Sequence, residues 1–157
     1  RGGGRVAGAG ACRAGGGGVA AARGECCWWE GARARVAARA TVAEATVVTT
    51  NDRFPNDARQ RAGWERLAER AGVSRSWGDC YGYLLVSTGR AEAMVDGALS
   101  PWDAAALMPI IEEAGGIFTD WKGTRTAFCG SAVATNQGVA AAARMLLETG
   151  TARAVHA

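Results

Sequence analysis

The 157-residue sequence has a single histidine, His156, and no C-x-x-C pair among its five cysteines. Structural zinc sites draw on closely spaced Cys and His, so that class of site is excluded. Cys12, Cys26, Cys27, Cys80 and Cys129 are odd in number and irregularly spaced. This argues against a disulfide framework and for reduced thiols in a cytoplasmic protein. No uninterrupted apolar run of ~18 residues is present, so no membrane span is expected. The N-terminus has neither an apolar signal core nor a starting Met, and a chain beginning Arg-Gly-Gly-Gly is expected to be a fragment or a processed form. An excess of charge is missing too. The net charge is +3, with a local +5 in residues 1–40, where seven Arg face Glu25 and Glu30, and a local −2 in the remainder. Arg-rich sequence without a groove-reading framework does not make a nucleic-acid surface, and no nucleic-acid partner is expected.

What is present is an ordinary globular composition, 48% hydrophobic and 21% charged, of a length that suits one domain. Residues 1–18 contain nine glycines and no periodic apolar pattern, so they are expected to be flexible or displaced from their proper frame. Residues 19–150 read as an α/β domain and 151–157 as a tail. "CCWW" is a short apolar run, followed by a turn and a further strand. Thr41 to Glu44 has capping-box spacing and opens a helical turn. "ATVVTT" (45–50) is β-branched and reads as a buried strand. Asn56 or Asp57 caps a helix to about Ala71, with Trp64, Leu67 and Ala71 on one face. A strand at 73–75 follows, then a helix from Asp79 to Ser87 closed by Gly89, and a strand at 91–96. Pro101 to Ala114 is a helix with Pro at its start and Gly115 past its end. Strands at 116–121 and 131–135 and a helix at 137–148 complete a layered alternation.

Asp103 carries the main chemical question. It stands in the first turn of the 101–114 helix, where unpaired N–H groups and the dipole favour an anion. As a cap-like acid it would contribute about 0.3–1 kcal/mol. Asp96 lies seven residues upstream at a strand end, so both carboxylates can reach one strand-to-helix edge, where ligands of layered α/β proteins bind. Carboxylates there also suit a hard cation such as Mg²⁺, although one Asp does not make such a site.

The stretch "SPWDAAALMPIIEEAGG" resembles the second signature of the inositol monophosphatase family, W-D-x-A-(A/G) followed by E-A-G-G. "RSWGDCYGYLLVSTGRAEAMVD" is most similar to the bacterial histidinol-phosphatases of that family. "CGSAVATN" resembles its final strand and turn, and "AARGECCWWEG" its A-x-x-G-x-G-A-x-x-N-G hairpin. The resemblance covers about residues 19–148. It implies a layered α/β sandwich of the inositol monophosphatase/sugar phosphatase type, of which this chain is the C-terminal part. It also implies Mg²⁺-dependent hydrolysis of a small phosphate monoester, histidinol phosphate or inositol phosphate. Asp103 then corresponds to a Mg²⁺ ligand, and Asp96 to the acid that hydrogen-bonds the substrate's organic moiety. Gly78, Asp79 and Cys80 correspond to a substrate-contacting turn, with Arg75 and Trp77 nearby. The family's capacity to dimerise is implied as well, with no interface located.

The family's first signature, D-P-I/L-D-G-T with a preceding Glu, has no match in this sequence. The N-terminal metal-binding half is therefore expected to be missing, and the chain alone to have little or no phosphatase activity. A non-catalytic domain of the same fold, serving in binding or dimerisation, is the alternative. Among the remaining residues, Cys80 reads as a small buried residue rather than a nucleophile, since no base is near it in the pattern. Glu112 and Glu113 read as solvent-facing or locally packed, and Asp120 as a turn residue. Trp28, Trp29, Trp64, Trp102 and Trp121 read as packing residues, Trp77 as more open.

Overall fold

The computed structural model describes residues 9–14, 17–78 and 80–148. Its first sheet is a four-stranded antiparallel meander, β1 (Ala9–Ala14), β2 (Gly17–Ala22), β3 (Cys27–Trp29) and β4 (Ala32–Arg33). Of the 1–18 stretch, expected to be flexible or displaced from its frame, residues 1–8, 15 and 16 lie outside the described residues, whereas Ala9 to Ala14 pairs with Ala22 to Gly17 in register. The physical reason is proximity. A Cβ on Gly10 would fall 1.8 Å from the carbonyl oxygen of Ala106, so a side chain is excluded where this strand meets a helix. Glycine that reads as disorder in sequence is here a condition of close packing.

The second sheet has five strands in the order β6-β5-β7-β9-β8. These are β5 (Thr46–Thr49), β6 (Val73–Ser76), β7 (Ala93–Asp96), β8 (Ile117–Thr119) and β9 (Ala132–Thr135). β5 runs parallel to β6 and β7, whereas β9 is antiparallel to both β7 and β8. Every residue of β7 and β9 is buried, as expected of central strands covered on both faces.

Among the described residues four α-helices cover the sheets: α1 (Ala58–Arg70), α2 (Cys80–Ser87), α3 (Pro101–Glu113) and α4 (Ala140–Glu148). Asp57 opens α1, its Oδ1 accepting from the N–H groups of Arg59 and Gln60 at 2.8 and 3.1 Å. Trp64 and Leu67 are its buried face. α2 is buried continuously from Gly82 to Ser87 and has no polar stripe, because it lies with α3 between the two sheets. One apolar cluster joins Val19 and Cys27 of the first sheet, Tyr83 and Val86 of α2, Ile110 of α3 and Met94 of the second sheet. A second cluster, with Val47, Val95, Trp64 and Leu147, lies on the opposite face under α1 and α4. The layers are thus sheet, helices, sheet, helices. The Thr41–Glu44 turn forms as a 3-10 turn, with Thr41 Oγ1 donating to Glu44 Oε2 instead of capping the backbone.

Two tryptophans depart from the expected packing role: Trp102 is 75% exposed and Trp28 48%. Trp28 is the outward-facing middle residue of β3, between buried Cys27 and half-buried Trp29, and Trp102 stands in the first turn of α3. Glu113 is tied to the first sheet, accepting from Gly24 N and Cys26 N, and Glu112 pairs with Arg125. Asp120 accepts from Thr124 N at 2.7 Å and closes a turn. Among the described residues no helix is long and apolar enough to cross a membrane.

Candidate functional site

The parallel strands β5, β6 and β7 all end on one edge of the second sheet, and the register places the start of β9 there, with Asp96 opposite Ala132. β8 ends at the same edge, Thr119 lying opposite Val133. Thr50 and Asn51, Trp77 and Gly78, Gly97, Asp120 and Ser131 are therefore gathered by topology. This is the carboxyl edge at which open α/β sheets take ligands.

Asp96 is only 3% exposed. Its Oδ1 accepts from Thr50 N at 3.1 Å, and its Oδ2 from the Tyr83 hydroxyl at 2.8 Å. Burial first, and then the charge and hydrogen bond of Asp96, hold the Tyr83 hydroxyl well above the ordinary tyrosine range, so it stays a donor. Asp96, Phe54 and Gln60 line a pocket of about 240 Å³. Gly97 and Gln60 are shared with a larger open cleft of about 960 Å³ that reaches Asp120, Lys122 and Ser131.

Asp103 follows by a short loop, pinned where Leu99 N donates to Gly130 O at 2.9 Å. Its own N–H donates to Ser100 O at 3.1 Å. Its side chain is exposed, and among the described residues the carboxylate is engaged in no hydrogen bond or ion pair. The acid therefore favours the helix end through the dipole while remaining available to a ligand. Asp96 and Asp103 differ in state, one enclosed and hydrogen-bonded, the other open.

Gly78 is half-buried beside Thr50. Asp79 lies outside the described residues. Cys80 is half-buried and disulfide-bonded, which corrects the expectation of reduced thiols throughout, although Cys26, Cys27 and Cys129 are free. Spacing along the chain does not report which cysteines the fold brings together. Among the described residues no group of three His, Cys, Asp or Glu could hold a metal ion. Mg²⁺ asks for near-octahedral oxygen ligation, and the single open carboxylate of Asp103 does not fit that requirement by itself. Thr49, Phe54 and Gln60 were not marked by any sequence pattern. The one hint was a threonine closing the short β-branched run of β5.

Residues 2–157 match the sequence model of the inositol monophosphatase family. The chain belongs to that family. The match takes in the glycine-rich start that the motif resemblance left out. The chain is 42% identical over 106 residues to a histidinol-phosphatase of Chlorobaculum parvum, covering 68% of this chain and 41% of that protein. It is 39% identical over 84 residues to the histidinol-phosphatase of Mycobacterium tuberculosis, covering 48% and 32%. Its fold is similar to an inositol monophosphatase from Zymomonas mobilis, with a TM-score of 0.78 at 23% identity, over 84% of this chain and 53% of that one. The extragenic suppressor protein suhB of Bartonella henselae gives a TM-score of 0.79 at 24% identity, over 85% and 53%. The chain spans less than half the length of these curated relatives and about half that of the solved structures. The layered α/β architecture of the family is thereby established for this chain.

Proposed function

We propose that the protein serves Mg²⁺-dependent hydrolysis of a small phosphate monoester, histidinol phosphate before inositol phosphate. The observation that carries this reading is Asp103, an open carboxylate in the first turn of α3, the helix that follows β7 and Asp96 in the chain. Similarity to two histidinol-phosphatases supports the order of substrates. In this reading Asp96, with Gly78, Asp79 and Cys80, faces the organic part of the ester. Asp103 is this chain's one contribution to Mg²⁺ binding, and the ion supplies phosphoryl polarisation when bound. No step is assigned to it, because the described residues do not complete its coordination.

That sparse ligand set also favours a second reading, a domain of the same fold that binds or dimerises without catalysis. The two are separated by phosphate release from histidinol phosphate and inositol phosphate, with and without Mg²⁺. The assay compares the 157-residue chain with protein in which it is joined to a segment bearing Glu and D-P-I/L-D-G-T. The chain alone is expected to show little or no hydrolysis, and the joined protein to be active with Mg²⁺. Absence of hydrolysis in both would leave the non-catalytic reading. An unchanged Mg²⁺-dependent rate in Asp103→Asn would remove the ligand assignment.

A further inference from the structure

Cys80, the first residue of α2, is half-buried and disulfide-bonded. The chain has five cysteines, of which Cys26, Cys27 and Cys129 are free. Within the chain, Cys12 is the cysteine left to pair with it. Backbone register agrees with that partner. Cys12 lies opposite Val19 in the β1–β2 pairing, and residues directly opposite in such a pair share a sheet face. Val19 is buried on the face where it clusters with Tyr83 and Val86 of α2, and β1 lies against that helix. The Cys12 position is therefore on the face of the first sheet that α2 covers.

The two elements differ in how firmly the rest of the fold holds them. α2 is packed tightly, since a Cβ on Gly82 would fall 2.4 Å from Met94 Sδ of β7. Tyr83, three residues on from Cys80 and so on the same side of the helix, donates to Asp96 at 2.8 Å. β1 is different. It stands at the edge of the described sheet, beside β2, and four consecutive glycines, Gly15 to Gly18, follow it in sequence. Glycine loses more backbone freedom on ordering than any other residue, and an edge strand has a single neighbour to offset that loss. A covalent tie removes much of this freedom from the open state, so the docking of β1 depends on the bond far more than that of α2 does.

We propose that a Cys12–Cys80 disulfide is a redox-sensitive latch, fastening the glycine-rich edge strand β1 to the first turn of α2. A dithiol reductant opens it by exchange. One thiolate of the reductant attacks a latch sulfur, the Cys12–Cys80 bond breaks and a mixed disulfide forms, which the second thiol then resolves. Two electrons and two protons pass to Cys12 and Cys80, and the reductant leaves as its own disulfide. Half-burial of Cys80 leaves that sulfur within reach of a small dithiol in the folded chain. Once the bond is open, β1 keeps its pairing with β2 and its contact with α3 but is no longer tied to α2. The first turn of α2 loosens with it, one turn ahead of the Tyr83–Asp96 bond. The device is independent of the phosphate-ester reading and needs no substrate.

The test counts thiols in the 157-residue chain after air oxidation. Alkylation in denaturant is expected at Cys26, Cys27 and Cys129, and mass spectrometry of the digest to find the Cys12 and Cys80 peptides joined. Dithiothreitol added to the folded chain is expected to make all five cysteines alkylatable and to lower the thermal midpoint by about 10 °C. Amide protection is expected to fall first across Ala9–Ala14, and reoxidation to restore it. Cys12→Ser and Cys80→Ser should each melt with the reduced wild type and ignore dithiothreitol, whereas Cys129→Ser should respond as the wild type does. Five thiols in the oxidised chain, or Cys80 joined to any other cysteine, would overturn the proposal. So would a reduced chain with an unchanged midpoint and unchanged β1 protection. A bond that dithiothreitol cleaves only after denaturation would be a fixed staple, which also overturns the latch. Should both serine variants fail to fold, the wild-type chain with and without reductant decides alone.

Discussion

The Tyr83 hydroxyl donates to Asp96 Oδ2 at 2.8 Å across thirteen residues, the tyrosine fully buried and the aspartate nearly so. This bond joins α2 to the end of β7 and, through Thr50 N on the other carboxylate oxygen, to the end of β5. A carboxylate enclosed to this degree depends on its donors. Tyr83→Phe keeps the ring and its contact with Phe118 at 6.2 Å but removes the donor. The variant is expected to lose about 1–3 kcal/mol of stability, read from denaturant midpoints. A change under a few tenths would show that this carboxylate is stabilised from elsewhere.

The same tyrosine predicts alkaline sensitivity. Its hydroxyl is raised well above 10.0 by burial and by Asp96, and the Cys27 thiol is pushed up from 9.0 to about 11 by burial, then by Glu113. Both groups are held neutral by folding, so the unfolded chain releases their protons first. Their contribution is complete below about pH 9 and declines as pH rises through the Cys27 value and toward that of Tyr83. Urea midpoints measured from pH 7 to pH 11 should be level at first and then fall. Tyr83→Phe should flatten the part of the fall above pH 10. A wild-type midpoint unchanged at pH 11 would contradict this.

How far the sequence reveals the fold depends on whether the deciding force is local. α3 is legible because Pro101, Asp103 and Gly115 are end signals that act within one turn. α1 is legible through Asp57, and β5 through its β-branched run. The W-D motif is what singles out Asp103 as a candidate, and the fold adds that its carboxylate is exposed. Gly10 was not legible, because what it accommodates is the Ala106 carbonyl, nearly a hundred residues away. Nor was Thr49, whose buried hydroxyl has no hydrogen-bond partner among the described residues, which only the fold reveals. The tryptophans show the limit from the other side. Trp64 and Trp102 look alike in sequence, yet one is 4% exposed and the other 75%, since burial depends on what lies above them.

Asn136 closes the end of β9 with three bonds. Its Nδ2 donates to Ala37 O at 2.9 Å and to Arg39 O at 2.8 Å, and its Oδ1 accepts from Val139 N at 3.0 Å. The side chain therefore fastens the extended 36–40 segment to the sheet while it opens α4. Asn136→Ala leaves all three backbone groups without these partners and is expected to cost about 2 kcal/mol or more. For a chain of this size that lowers the thermal midpoint by about 4–8 °C. Asn136→Asp should recover the bond from Val139 but not the two donations, and so fall between. An alanine variant that melts with the wild type would mean that water replaces all three.

Gly10 tests whether the glycine-rich strand belongs to the fold. The Cβ of an alanine there would lie 1.8 Å from Ala106 O and 3.1 Å from Pro109 Cγ, and neither helix backbone nor a proline ring yields easily. Gly10→Ala must displace β1 from α3 or deform the first turns of the helix. The expected cost is about 3 kcal/mol, the upper part of the overpacking range. Ala11, the next residue, is exposed, and Ala11→Ser should stay within about 0.5 kcal/mol. Hydrogen exchange adds the decisive readout, because Gly10→Ala should also lose amide protection across the β1–β2 pairing. If Gly10→Ala were as stable and as protected as Ala11→Ser, β1 would not pack on α3, and the glycines would be outside the fold as their sequence alone suggests.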